Sequence, residues 1–169
     1  MKILICGDVN AGKSTLISKL VRDIGEQPQG YISVRLGQES DGRSYVYLYD
    51  AAQPPEDIKT AAVIKVLAKN AVEDRPEVLE TLGVSLLESV PEGALVVMDE
   101  IGTLESKAPR FMEAVLDILG GNYRVLAAVK AQNTDFLRRV RSHPDCELYI
   151  ITPENRDALY RQLKTEYGI

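Results

Sequence analysis

The segment Gly7-Asp8-Val9-Asn10-Ala11-Gly12-Lys13-Ser14-Thr15 constrains this chain more than any other. Its spacing, G-x-x-x-x-G-K-[ST], is complete. Ahead of it, Ile3-Leu4-Ile5-Cys6 is a short apolar run suited to a buried parallel strand; behind it, Leu16-Ile17-Ser18-Lys19-Leu20-Val21 carries apolar residues at helical spacing. A strand, a glycine-bearing turn and a helix in that order aim backbone N–H groups and the positive helix end at an anion. Gly7 and Gly12 are expected to let the main chain turn. Lys13 is placed to reach β- and γ-phosphates, and the Ser14 hydroxyl to ligate Mg²⁺. Nucleotide contacts are therefore expected along the whole run Gly7, Asp8, Val9, Asn10, Ala11, Gly12, Lys13, Ser14 and Thr15, with the base left unspecified.

A second landmark is Ala94-Leu95-Val96-Val97-Met98-Asp99-Glu100, an apolar strand running into an acidic pair. An acidic pair after a strand also occurs at helix N-termini, but beside a phosphate loop it reads as a Walker B segment. Asp99 then holds Mg²⁺ opposite Ser14, the two oxygens meeting at adjacent strand ends. Glu100, one residue further on, is placed to polarise an attacking water, so Lys13 and Glu100 are the expected catalytic pair.

Strands and helices alternate around these landmarks. The first helix should stop at Gly25. Tyr31-Ile32-Ser33-Val34-Arg35-Leu36 and Tyr45-Val46-Tyr47-Leu48-Tyr49, separated by Ser40-Asp41-Gly42, read as a β-hairpin. Its three tyrosines form either a base-stacking face or, the simpler reading, the wetter face of an edge hairpin. Glu56-Asp57 would begin a helix. The run Ala61–Ala68 suits helix and strand equally. Residues 76–90 place Val78, Leu79, Leu82, Leu86 and Leu87 at helical spacing, and Pro109 opens a further helix over Phe111, Val115, Ile118 and Leu119. Residues 123–129 and 148–151 are strands, Thr134 caps a short helix bearing Arg138, Arg139 and Arg141, and Thr152-Pro153-Glu154 starts the last helix. The pattern predicts an α/β, three-layer, RecA-like phosphate-loop fold as one domain over residues 1–169, with a mainly parallel sheet and an antiparallel hairpin at one edge.

A net charge of −5 argues against a nucleic-acid-binding surface over the whole protein, and no apolar run reaches membrane-spanning length. Cys6 and Cys146 stand far apart in sequence and suggest no disulfide framework. With the first strand opening directly at the N-terminus, a cytoplasmic location is expected, with no nucleic-acid or membrane partner.

Asp99-Glu100-Ile101-Gly102-Thr103-Leu104-Glu105 fits D-E-I-G-x-x-E. Together with the phosphate loop, this resembles the cancer-related nucleoside-triphosphatase family. Gly30-Tyr31 is similar to the family's Gly-Phe after the first helix, Gly42-Arg43 to its Gly-x-Arg turn, and Asn155-Arg156-Asp157 to its C-terminal Asn-Arg-Asp. The chain departs from the pattern at Ser14-Thr15, where the family has Thr-Thr, and at Ser33-Val34-Arg35, where it has Glu-Val-Arg. It departs again at Ser44-Tyr45, where the family has Gly-Phe. The resemblance implies Mg²⁺-dependent hydrolysis of ATP, GTP or other nucleoside triphosphates to diphosphates, with several bases tolerated.

Three other functions compete with hydrolysis. A small-molecule or nucleotide kinase would need an arginine-bearing lid, for which the cluster of Arg138, Arg139 and Arg141 is the only lid-like feature, against the plainer reading of a solvated helix face. An arginine finger could come from any of these three or from Arg156. A regulatory GTPase fits Asp99-x-x-Gly102, but no N-K-x-D motif follows Val125–Val129. A nucleotide-gated adaptor with slow turnover would look the same in sequence.

Overall fold

The computed structural model describes all 169 residues. Eight strands form one sheet: β1 Lys2–Gly7, β2 Gln29–Arg35, β3 Ser44–Asp50, β4 Ala62–Ala68, β5 Ala71–Asp74, β6 Leu95–Ile101, β7 Arg124–Lys130 and β8 Glu147–Ile150, in the spatial order β5-β4-β3-β2-β6-β7-β1-β8. The five strands from β2 to β8 in that order are parallel; β3, β4 and β5 extend β2 as an antiparallel wing. Burial explains the split. Val125 to Val129 of β7 are wholly buried, as a central parallel strand covered on both faces requires.

Helix α1 (Lys13–Ile24) and helix α6 (Arg156–Tyr167) cover one face over Ile3, Ile5, Val97, Leu126 and Ala128. The opposite face carries α2 (Pro76–Val78), α3 (Val84–Glu88), α4 (Pro109–Gly120) and α5 (Asp135–Arg141) over Leu4, Val96, Met98 and Val125. Each fully buried aliphatic or aromatic residue in these layers contributes about 1.5–3 kcal/mol. Gly25 stops α1 in a left-handed conformation (φ 72°), and the Thr134 hydroxyl accepts the Leu137 N–H to cap α5, as the sequence predicts. No helix is long and apolar enough to cross a membrane.

Several expectations need correction. The hairpin forms, but the ambiguous run at 61–68 is strand β4. With the unforeseen β5 it enlarges the hairpin to a four-stranded wing rooted on β2. Alternation alone could not decide this; pairing of β4 with β3 and β5 did. The tyrosine face is not uniformly wet, since Tyr47 is buried. Glu56-Asp57 leads only to a 3₁₀ turn at Ile58–Thr60. Between α2 and α3 the helix widens into a π turn at Leu79–Gly83. A Cβ on Gly83 would lie 2.6 Å from the Phe111 ring, so glycine is what lets this turn pack on α4. Leu79 and Leu87 are buried, whereas Leu82 is left exposed. The last helix starts at Arg156, leaving Pro153 in the preceding loop. Finally, β7 lies between β1 and β6, so the two motif-bearing strands are not adjacent.

Candidate active site

The phosphate loop connects β1 to α1, and two different constraints shape it. Gly7 has an ordinary backbone, but a Cβ there would meet the Ile151 carbonyl oxygen at 2.5 Å; its role is close approach. The left-handed positions are Asn10 (φ 64°) and Gly12 (φ 106°), so Asn10 shares the turning that the sequence assigns to glycine alone. Ala11 directs its side chain into the core under α1 and can offer a ligand only its backbone. Gly7 and Asp8 border a small cavity, Asn10, Gly12, Ser14 and Thr15 face a larger cleft that also reaches Asp99 and Glu100, and Val9 and Lys13 line both.

Lys13 is 5% exposed, and its ammonium is fully engaged. It donates to the Gly7 and Asp8 carbonyl oxygens, each at 2.9 Å, and its Nζ lies 3.2 Å from Glu100 Oε2. Those three partners match the three donors of an ammonium group. The Ser14 hydroxyl donates to Asp99 Oδ1 at 3.0 Å. The loop and the acidic pair therefore converge despite the intervening β7.

The strand register explains how the two carboxylates diverge in role. Asp99 sits in the ladder, opposite Ile32 of β2 and Ala128 of β7. At Glu100 the pairing shifts, and its N–H donates to the Ser33 hydroxyl at 3.1 Å. This turns Glu100 out of the strand toward the cleft, with a quarter of its side chain exposed. Asp99 is 4% exposed; burial pushes its carboxyl up to about 6, the Ser14 hydroxyl pulling the other way and the Glu100 charge adding to the rise. A buried carboxylate with a serine hydroxyl beside it is a pair of hard oxygens suited to a small divalent cation, whose charge would reverse that rise.

Sequence reasoning missed two contributors, Lys130 and Ser33, and gave a third, Glu105, no place in the site. Lys130, the last residue of β7, places Nζ 3.1 Å from Glu100 Oε1, so Glu100 bridges two lysines. Ser33 fixes the Glu100 backbone. Glu105 is buried beneath the cleft and accepts the Gly102 N–H at 2.8 Å; burial raises it to about 7. The D-E-I-G-x-x-E spacing brought Glu105 into view, but no local signal marks Ser33 or Lys130. Tyr31, wholly buried near these acids, has a hydroxyl with no hydrogen-bond partner, and its ionisation is pushed far upward by burial.

The arginines separate clearly. Arg138 pairs with Asp135 and donates to Asn133 Oδ1 at 3.0 Å, and Arg141 donates to the Lys130 and Gln132 carbonyls at 2.8 and 2.9 Å. Arg141 thus braces the loop that carries Lys130. Neither these two nor Arg139 borders the cleft, whereas Arg156 does, its stem passing beside Gly12. The loop before Arg156 is stapled by Asn155, which accepts the Thr152 N–H at 2.8 Å and donates to the Ile150 carbonyl at 2.9 Å.

The profile of a family described as NTPase matches residues 2–164. A protein from Thermotoga maritima named nucleoside-triphosphatase THEP1 is 28% identical over 167 residues, covering 96% of this chain and 93% of that one. A protein of the same name from Thermofilum pendens is 40% identical over 93 residues, 53% of this chain and 51% of the relative. The crystal structure of THEP1 from the hyperthermophile Aquifex aeolicus superposes with a TM-score of 0.72 at 21% identity, covering 96% of both chains. At that identity the superposition speaks to the fold.

Proposed function

Since the chain belongs to this NTPase family, we propose that it is a nucleoside-triphosphatase whose cleft hydrolyses nucleoside 5′-triphosphates to diphosphate and phosphate. The observation that carries the assignment of roles is the convergence of Ser14 on Asp99 and of Lys13 on Glu100, at 3.0 and 3.2 Å.

In this reading the loop amides of residues 7–15 and the N-terminus of α1 bind the phosphates, and Lys13 exchanges its carbonyl partners for β- and γ-phosphate oxygens. Ser14 and Asp99 would hold Mg²⁺, which supplies charge neutralisation on the phosphates when bound. Glu100 accepts a hydrogen bond from the attacking water and orients it toward the γ-phosphorus. Lys130 keeps the Glu100 carboxylate on the cleft side, and Ser33 holds its backbone. No N-K-x-D segment follows β7, so the motif that reads guanine is absent, which supports broad base tolerance.

Phosphate release tests both the reaction and the metal assignment. Wild-type protein with Mg²⁺ and ATP alone should release inorganic phosphate without an added acceptor, and Asp99→Ala should leave only a low rate indifferent to Mg²⁺. Release that waits for an acceptor would replace hydrolysis by phosphoryl transfer. Ordinary Mg²⁺ dependence in Asp99→Ala would move the metal to another carboxylate.

A further inference from the structure

The phosphate end of the site fixes where a nucleoside must leave it. Lys13 and Glu100 mark the γ-phosphate, and Ser33, which accepts the Glu100 N–H, lies beyond them. The β- and α-phosphates then follow the backbone N–H groups of the loop into the first turn of α1. A nucleoside on the α-phosphate therefore departs over Gly12 and Thr15, away from Ser33. Thr15 is exposed there, and both residues line the cleft.

Arg156 borders that exit. A Cβ on Gly12 would lie 3.6 Å from Arg156 Cδ and 3.7 Å from Ile151 Cδ1, so the arginine stem runs along the turn where α1 begins. Its backbone is pinned on both sides. Tyr160, one helical turn on, gives its hydroxyl to Asp23 of α1, and Lys19 Nζ stands 5.4 Å from the centre of its ring. On the other side, Asn155 staples the loop immediately before Arg156. The guanidinium itself is uncommitted: Arg156 takes part in no ion pair, although Glu154 and Asp157 flank it in sequence. A planar cation with an anchored stem and no ionic partner offers a flat face to the cleft. Such a face stacks on a nucleobase of any identity, because every base carries a π system.

We infer that Arg156 is the base-holding residue of this site: its guanidinium stacks on the nucleobase of the bound nucleoside triphosphate, purine or pyrimidine, and strengthens binding without reading base identity. The inference rests on the assignment of the phosphate loop to the triphosphate, and it gives Arg156 to the substrate's base rather than to charge in the transition state.

Calorimetric titration of the full chain with Mg²⁺ tests it, using non-hydrolysable analogues of ATP, GTP, CTP and UTP and, as the ligand without a base, inorganic tripolyphosphate. The Arg156 side chain is exposed, so replacing it leaves the core untouched. Arg156→Ala should weaken binding of all four analogues about tenfold and leave tripolyphosphate affinity near that of wild type. Arg156→Lys should not restore the analogues, since an ammonium keeps the charge but not the plane. In steady-state turnover of ATP, Arg156→Ala should raise KM with kcat little changed. Four results overturn the inference: unchanged nucleotide affinity in Arg156→Ala, an equal loss for tripolyphosphate, full affinity in Arg156→Lys, or a fall in kcat at unchanged affinity. Wild type that binds neither the analogues nor tripolyphosphate overturns the phosphate-loop assignment and this inference with it. Wild type that binds the analogues but releases no phosphate from ATP overturns hydrolysis alone, and the affinities still decide the role of Arg156.

Discussion

Glu105 lies 5% exposed in the motif that ends beside the cleft. Burial dominates its environment and raises its carboxyl from an ordinary 4.5 to about 7, against the opposing effects of the Gly102 N–H and the Lys130 charge. A folded-state value above the unfolded one means the folded protein holds the proton more tightly. The associated stability is fully present below pH 4.5 and has been lost once the pH rises through about 7. The difference between 4.5 and about 7 amounts to about 3 kcal/mol at 1.36 kcal/mol per pH unit. Glu105→Gln keeps an oxygen to accept the Gly102 N–H and removes the ionisation. Denaturant unfolding at pH 5, 6, 7 and 8 should therefore show the variant close to wild type at pH 5 and more stable by up to about 3 kcal/mol at pH 8. Asp99 titrates in both proteins, so the difference between their curves isolates Glu105. Parallel curves from pH 5 to 8, or a variant less stable than wild type at pH 8, would refute the reasoning.

Lys130→Met removes the second cation on Glu100 while keeping the stem beside Gly102; on the order of a tenfold fall in kcat is expected with KM little changed, the size of about 1.4 kcal/mol in the barrier. A Lys130→Met enzyme with wild-type kcat would show that Lys13 alone orients Glu100. Base tolerance is checked by comparing kcat/KM for ATP, GTP, CTP and UTP, which should agree within roughly tenfold, because strong rejection of one base needs buried polar groups left unpaired at about 1–3 kcal/mol each. A hundredfold preference would show that a polar base reader exists.

What the sequence made legible were the features written in contiguous residues. The phosphate loop, the apolar run into Asp99-Glu100, the Gly25 stop and the Thr134 cap depend on neighbours within a few positions, and all are found in the structure. Pairing partners far along the chain decided the rest. Ala61–Ala68 has a composition that serves either state, and the hydrogen-bonding edge of β3 made it a strand. Ser33 reaches Glu100 only because Ile32 registers against Asp99, and Lys130 reaches it only because β7 inserts beside β6. The arginines of α5 look equivalent in sequence. The loop carbonyls and carboxyl groups around them engage Arg138 and Arg141, and the cleft is left to Arg156. Leu82 lies inside the π turn Leu79–Gly83, whose wider winding carries it off the face shared by Leu79 and Leu87, and it is Gly83 that packs on Phe111.

The central claim is that Glu100 orients the water that attacks the γ-phosphate. Glu100→Gln retains its size and one acceptor oxygen but loses the charge that draws Lys13 and Lys130. Measured together, binding of Mg²⁺–ATP and single-turnover cleavage separate the two roles of this residue. The expected result is affinity near that of wild type with cleavage slowed by about 10²–10⁴-fold, the usual contribution of a positioned general base. Cleavage by Glu100→Gln at the wild-type rate would contradict the account, leaving Glu100 as an ion-pair partner of the two lysines and nothing more.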